Sequence, residues 1–103
     1  MFRNTDLSES NLCWNDFADV DFTNATLASC DLRASNFERV KFVSTDLTGA
    51  DMRQSWFKDC DFDYALMAGV ILTKDQGAKL GLTERQRAEI LWTDDPGPEP
   101  IGG

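Results

Sequence analysis

Large apolar side chains recur at every fifth position along most of this chain. A period of five matches neither the 3.6-residue period of an α-helix nor the two-residue period of a flat strand. The pattern therefore predicts that the chain turns every five residues and directs these side chains into a common interior. The apolar centres are Phe2, Leu7, Leu12, Phe17, Phe22, Leu27, Leu32, Phe37, Phe42, Leu47, Met52, Phe57, Phe62, Met67 and Leu72.

The residues around each apolar centre also repeat. Two positions earlier the residue is small or β-branched, as in Ala25, Cys30 and Val40, which suits a tight corner. The position directly before the centre is usually Asp or Asn, as in Asp21 and Asn36, which is typical of a residue that points to solvent. Each five-residue unit thus has inward apolar positions and an outward polar position.

This arrangement resembles the pentapeptide-repeat family from Phe2 to about Leu72. The resemblance implies an all-β solenoid, a right-handed quadrilateral β-helix in which four units make one square coil. Residues 1–74 would then form roughly three and a half coils, each packed only on its neighbours.

Residues twenty positions apart also agree in chemical type, as a coil of four units requires. Aromatic side chains occupy two columns and aliphatic side chains occupy the other two. Residues in one column would stack about 4.8 Å apart, the spacing of neighbouring strands. The columns are Phe2, Phe22, Phe42 and Phe62; Phe17, Phe37 and Phe57; Leu7, Leu27, Leu47 and Met67; and Leu12, Leu32, Met52 and Leu72.

Two T-x-x-Q sequences follow the last repeat. Thr73 to Gln76 and Thr83 to Gln86 each have the form of a capping box at a helix N-terminus. We expect a short helix that ends at Gly81 and a second helix that continues to Trp92. Residues 75–93 would then form an α-helical C-terminal cap.

Apolar residues mark where this cap would dock. Leu66 and Ile71 stand where earlier units have Asp or Asn, and we expect them to pack against Ile90 and Leu91, the buried residues of the second helix. Drift in the last repeats is the alternative explanation. Residues 94–103 are rich in Pro and Gly and predict a flexible tail.

The overall charge bears on the choice of partner. With 18 acidic and 10 basic residues the net charge is −8, which disfavours direct binding to nucleic acid or to an anionic membrane and favours a protein partner. The sequence has no histidine and no catalytic motif, and a convex coil with a filled interior offers no pocket. We therefore expect no metal, no cofactor and no enzymatic activity. Without a long apolar run or an apolar leader, a cytoplasmic location is expected.

The three cysteines are not expected to form a disulfide. Cys30 and Cys60 fall on inward positions more than one coil apart and would be small core residues. Cys13 falls on an outward position beside Trp14.

One aliphatic column predicts an acidic surface. Its units carry Asp6, Glu9 and Asp46 with no basic residue among them. This surface is either a binding face or a solvated face that keeps the protein soluble.

Three large aromatic residues, Trp14, Trp56 and Tyr64, fall on outward positions. Exposed aromatic side chains are enriched at protein interfaces. They serve either as interface anchors or in local packing.

Elsewhere, outward charges are expected to pair with one another. Such surface pairs contribute up to about 1 kcal/mol each. The predicted sets are Asp19, Arg39 and Asp59; Asp21, Lys41 and Asp61; Glu38 and Lys58; and Arg33 and Arg53 with Asp31 and Asp51.

Three functions follow as hypotheses. The first is a non-catalytic protein-binding scaffold with an acidic, laddered surface, whose partner is another protein or a second copy docked through the C-terminal cap or the N-terminal coil edge. The second follows from the resemblance: quinolone-resistance members of the family are DNA-mimicking proteins that protect gyrase, a type II topoisomerase. The third is a spacer or a fragment of a longer repeat protein.

Overall fold

The backbone turns a corner every five residues. In a computed structural model of the protein, which describes residues 3–78 and 80–93, φ is positive at every fifth residue from Asn4 to Gly69, with values between 52° and 73°. Only Gly49 and Gly69 among these corner residues are glycines. The other corner residues accept the left-handed conformation at a cost of about 1–2 kcal/mol each, which the packing of the coil must offset.

Residues twenty positions apart pair in parallel. Three short strands, β1 (Asp16–Ala18), β2 (Asn36–Glu38) and β3 (Trp56–Lys58), form one parallel sheet in that register. The same step joins isolated bridges in three further columns: Asp6–Thr26–Asp46–Leu66, Asn11–Asp31–Asp51–Ile71 and Asp21–Lys41–Asp61.

These columns define four faces. Face A is centred on Phe22, Phe42 and Phe62; face B on Leu27, Leu47 and Met67; face C on Leu32, Met52 and Leu72; and face D on Phe17, Phe37 and Phe57. Each corner is named after the two faces that it joins, in chain order.

The interior contains the aromatic columns of faces A and D. Phe42 stacks between Phe22 and Phe62, with ring centroids 5.5 Å and 4.9 Å away. Phe37 stacks 5.1 Å from Phe17 and meets Phe42 edge to face at 5.5 Å. Such pairs contribute about 0.5–1.5 kcal/mol each beyond the burial of their area. Phe2, the first member of the predicted face A column, lies outside the described residues.

Small inward residues hydrogen-bond the preceding coil. The Thr45 hydroxyl donates to the Phe22 carbonyl at 2.7 Å, and the Ser55 hydroxyl donates to the Leu32 carbonyl at 2.6 Å. Within the described residues no buried side-chain nitrogen or oxygen lacks a partner. Each of these small inward residues therefore also links two neighbouring coils.

The outward Asp and Asn residues have a structural role that the solvent-facing interpretation missed. The Asp21 carboxylate accepts a hydrogen bond from the Thr23 backbone N–H at 2.9 Å, and Asp46 accepts one from Thr48 at 3.0 Å. This local turn is one that Asp and Asn form readily. The residue type recurs because it closes the turn.

The C-terminal segment combines two helices with a returning strand. Strand β4 (Ile71–Thr73) leads into α1 (Lys74–Ala78), then α2 (Glu84–Glu89) and β5 (Leu91–Thr93). Strand β5 pairs in parallel with β4, so the chain returns twenty residues later to the same register. The prediction that helix continues to Trp92 is wrong, because this pairing overrides the local helical preference, and α1 ends at Ala78, before Gly81.

Both T-x-x-Q sequences form hydrogen bonds of a capping box. Thr83 accepts from the Gln86 backbone, and the Gln86 side chain accepts from the Thr83 backbone at 3.0 Å. The Gln86 side-chain amide also donates to the Phe62 carbonyl at 2.8 Å, and Gln76 donates likewise to the Met52 carbonyl at 2.8 Å. Each glutamine thus supplies the bond that an inward hydroxyl of a further coil would make.

The predicted docking of this segment is wrong for two of its residues. Leu66 is 56% exposed and Leu91 is 60% exposed, whereas Ile90 is buried and Ile71 is half-buried. Gln76 and Gln86 instead bind carbonyls of the preceding coil, and β5 places Leu91 in the outward column of Ile71. The predicted tail, residues 94–103, lies outside the described residues.

Candidate protein-binding surface

Three large aromatic side chains are exposed at or beside corners of the coil. Trp14 is 44% exposed, Trp56 66% and Tyr64 84%. Trp14 and Tyr64 are corner residues, with φ of 62° and 60°. Trp56 begins β3 on face D.

These aromatic residues lie in two separate places. Trp14 lies at the corner between faces C and D, and Trp56 follows the same corner two coils later. The twenty-residue register places Trp14 in line with Gln54, which precedes Trp56 by two residues. Tyr64 lies at the corner between faces A and B, two corners away around the coil. The aromatic residues therefore do not form one patch.

The fold itself does not require aromatic side chains at these positions. In the columns of the three aromatics, other coils place Ala34 in line with Trp14, Asn36 in line with Trp56, and Asn24 in line with Tyr64. Trp14 and Tyr64 are also in the left-handed conformation, which is unfavourable for a bulky residue, and their exposure reduces the burial that could offset this cost. This combination favours a role outside the fold.

The structure brings two of the three predicted acidic residues into one ladder. Asp6 and Asp46 are both bridged to Thr26, so they stand two coils apart on face B. Hydrogen bonds from Ser8 lower the pKa of Asp6 below its ordinary value. Glu9 lies at the opposite corner of the same face. Of these acidic residues, Asp46 is thus one coil from the level of Tyr64, whereas Asp6 and Glu9 are three coils from it.

Face C is occupied by ion pairs within the chain. Arg33 binds Asp31 through two hydrogen bonds of 2.8 Å, and Arg53 binds Asp51 through bonds of 2.9 Å and 2.7 Å. All four side chains are largely covered. Because these side chains pair with one another, they have few groups left to bind a ligand.

Around face D the ion pairing differs from the sequence-based expectation. Arg39 binds Asp19 with contacts of 2.6 Å and 2.9 Å, as its ladder position predicts. Glu38 and Lys58 are register partners, but Glu38 forms its ion pair with Arg39, at 2.6 Å. The reason is that the guanidinium group has enough donors to bind both carboxylates at once.

The inward thiols act as hydrogen-bond donors. Cys30 donates to the Leu7 carbonyl at 2.8 Å and Cys60 to the Phe37 carbonyl at 3.2 Å. Burial raises the pKa of both thiols, which keeps them protonated. All three cysteines are free.

Cys13 corrects the prediction of an outward thiol. It is only 3% exposed, and its thiol donates to the Asn11 side chain at 2.8 Å. Its position lies in line with Arg33 of the next coil.

No group of His, Cys, Asp or Glu side chains among residues 3–78 and 80–93 is arranged to hold a metal ion. Within the same residues, no helix has the length and apolar character needed to cross a membrane.

The sequence profile described as Pentapeptide repeats matches residues 2–33, 16–54 and 35–73, with eight copies. The chain belongs to the pentapeptide repeat family. This confirms the resemblance drawn from the five-residue period, and the family fold is a right-handed β-helix. Proteins of this family are generally non-catalytic repeat scaffolds.

Among solved structures, the chain is similar to a pentapeptide repeat protein from the thylakoid lumen of Arabidopsis thaliana. The two are 24% identical with a TM-score of 0.49, over 62% of this chain. The match spans 50% of that protein's length. No curated protein matches the sequence.

Proposed function

We propose that this pentapeptide repeat protein is a non-catalytic protein-binding scaffold. The observation that carries the proposal is the placement of Trp14, Trp56 and Tyr64: large, exposed aromatic side chains at positions where other coils have Ala, Gln, Asp, Asn or Ser. Large aromatic residues are frequent hot spots of protein interfaces because they bury much area with few rotatable bonds.

Rigidity supports the same proposal. Stacked rings fill the sides of the interior behind faces A and D, and backbone hydrogen bonds join neighbouring coils along all four lines of corners. We treat the domain as a quadrilateral β-helix of roughly three and a half coils, closed at its C-terminal end by segment 74–93. Such a body holds its surface side chains in fixed positions, which lowers the entropic cost of binding.

The repeat supplies substitutions that should preserve the fold. Trp14→Ala copies Ala34, Trp56→Asn copies Asn36 and Tyr64→Asn copies Asn24. We expect each variant to keep or raise the melting temperature, and at least one to lose a partner that the unaltered protein retains in affinity capture from its native cells. If the protein is recovered only as a free monomer, or if all three variants retain the partner, the scaffold hypothesis is wrong.

DNA mimicry is the competing hypothesis, and the net charge of −8 is the observation that favours it. Pairing of Arg33, Arg39 and Arg53 with carboxylates interrupts the negative surface and weakens the case. A gyrase supercoiling assay with and without a quinolone separates the two. Inhibition or protection at stoichiometric protein would replace the scaffold proposal with DNA mimicry.

A further inference from the structure

Face B differs from the other three faces in its outer surface. It bears neither Lys nor Arg among its described outward positions, and most of its side chains there are small. The outward positions of face B are Asp6, Thr26, Asp46 and Leu66; Ser8, Ala28, Thr48 and Ala68; and Glu9, Ser29, Gly49 and Gly69. The face is therefore flat, and its charge is entirely negative.

The two carboxylates of the ladder are held in fixed orientations. One oxygen of Asp46 accepts from the Thr48 N–H and hydroxyl, at 3.0 Å and 2.6 Å, and Asp6 is held by Ser8 in the same way. The second oxygen of each carboxylate has no hydrogen-bond partner among the described residues. Both carboxylates are thus positioned to accept a bond from a cationic group outside the chain.

An apolar site adjoins these carboxylates. Leu66 is bridged to Asp46 and is 56% exposed, and the corner residue Tyr64, separated from Leu66 by the buried Ala65, is 84% exposed. Face B therefore presents an apolar end and an acidic end along one line.

The spacing along this line matches a helix. With about 4.8 Å between coils, Asp46, Thr26 and Asp6 lie roughly 5, 10 and 14 Å from Leu66. A helix aligned with the coil axis projects side chains toward one surface at about 6, 10.5 and 15–16.5 Å, that is, four, seven and ten or eleven residues after the first. Small side chains on the face allow the close approach that helix packing requires.

We propose that face B, with Tyr64 at its edge, is the docking surface for a basic amphipathic helix of a partner protein. An apolar residue of this helix contacts Leu66 and Tyr64, and Lys or Arg residues about one and three turns later bind Asp46 and Asp6. The inference rests on the proposed scaffold function and specifies its partner. A second copy is disfavoured as occupant, because two acidic faces repel each other when they meet.

Synthetic helical peptides of about 18 residues provide the probe. One carries Leu at the first contact, Ala at the third, and Lys four and eleven residues after the Leu; a second has the same composition in scrambled order. We expect the full chain to bind the ordered peptide about tenfold more tightly, as measured by fluorescence anisotropy. Equal affinities would reduce the interaction to non-specific charge attraction and overturn the proposal.

Variants of the protein locate the contact. Asp46→Thr and Leu66→Thr both copy Thr26, a residue that the coil already accepts in this column, and we expect each to weaken binding of the ordered peptide about tenfold while the protein stays folded at the temperature of the assay. Asp16→Asn, which copies Asn36 on face D and removes the same charge, is the matched control and should change the affinity less than about twofold. Equal losses in Asp46→Thr and Asp16→Asn would contradict docking on face B.

Two further outcomes separate this inference from the proposed function. If partner capture depends on Trp14 and Trp56 but not on Asp46, Leu66 or Tyr64, the scaffold function stands and the face B proposal fails. A concentration-dependent dimer that Leu66→Thr dissolves in sedimentation experiments would show that a second copy, rather than a helix, occupies the face.

Discussion

Gly77 lies against the indole ring of Trp92. A Cβ atom added to Gly77 would come within 2.2 Å of two ring atoms, Cη2 and Cζ3. The ring is held from its other side, because its N–H donates to the Arg87 carbonyl at 2.8 Å. This contact joins α1, α2 and β5 into one unit at the end of the coil.

Gly77→Ala should therefore destabilise the protein. Ala normally stabilises a helix relative to Gly by about 1 kcal/mol, but here the clash with Trp92 forces the ring to move, and we expect a net loss of about 1–3 kcal/mol in the free energy of unfolding. Denaturant unfolding measures this change in the free energy of unfolding. Gly81→Ala is the matched control, since an added Cβ there meets nothing within 4 Å. A stability gain in Gly77→Ala would contradict the contact.

Gln86 should stabilise the fold through its hydrogen bonds at the end of face A. Its side chain is 7% exposed and donates to the carbonyls of Phe62 and Ala65, at 2.8 Å and 3.2 Å. Gln86→Glu keeps the size and the capping acceptor but replaces the donor with a charged oxygen, and we expect a loss of about 1–3 kcal/mol or more. Arg85→Ala, on the exposed side of α2, is the control and should change stability by less than about 0.5 kcal/mol. Equal losses of stability in Gln86→Glu and Arg85→Ala would mean that Gln86 stabilises the protein only as a residue of α2.

The left-handed corners predict opposite effects of glycine and alanine. Ser44 is exposed with φ of 54°, so Ser44→Gly should relieve strain and raise the free energy of unfolding by up to about 1 kcal/mol. Gly49, with φ of 72°, should lose about 1 kcal/mol or more when changed to Ala. Thermal melts of the two variants test this pair. The same sign for both changes would contradict the assigned corner geometry.

Stability should fall in acid partly through Asp31. The hydrogen bonds from Arg33 are the main reason why the pKa of this carboxyl lies below its ordinary value of 3.8. A lowered pKa in the folded state stabilises the protein fully above 3.8, and this stabilisation is lost as the pH falls below that value toward the folded-state pKa. Asp31→Asn retains the turn but not the charge, so its unfolding free energy should depend less on pH between neutral and strongly acidic solution. If the plots of unfolding free energy against pH are parallel for Asp31→Asn and the unaltered protein, Asp31 does not contribute to the loss of stability in acid.

The periodic part of the chain was accessible from the sequence because side-chain direction there depends on position alone. A period of five places Phe42 in the interior, and a period of twenty places it between Phe22 and Phe62. Each coil repeats the geometry of the previous one, so a rule read from one unit applies to the next. The burial of Cys13, however, did not follow from this rule.

The end of the coil could not be derived in this way. Residues 91–93 follow a helical sequence, yet they pair with β4 and leave Leu91 exposed. Gln76 and Gln86 have the local pattern of capping boxes, and nothing in that pattern reveals that their amides also bind carbonyls 24 residues earlier.

The sequence by itself determined the repeating coil and the columns of its interior, since both follow from which residues recur and at what interval. Only the tertiary structure decided how the coil ends, which carboxylates are paired and which apolar side chains stay exposed. Those features depend on contacts between segments that share no period, and the free energy of such contacts outweighs local preference.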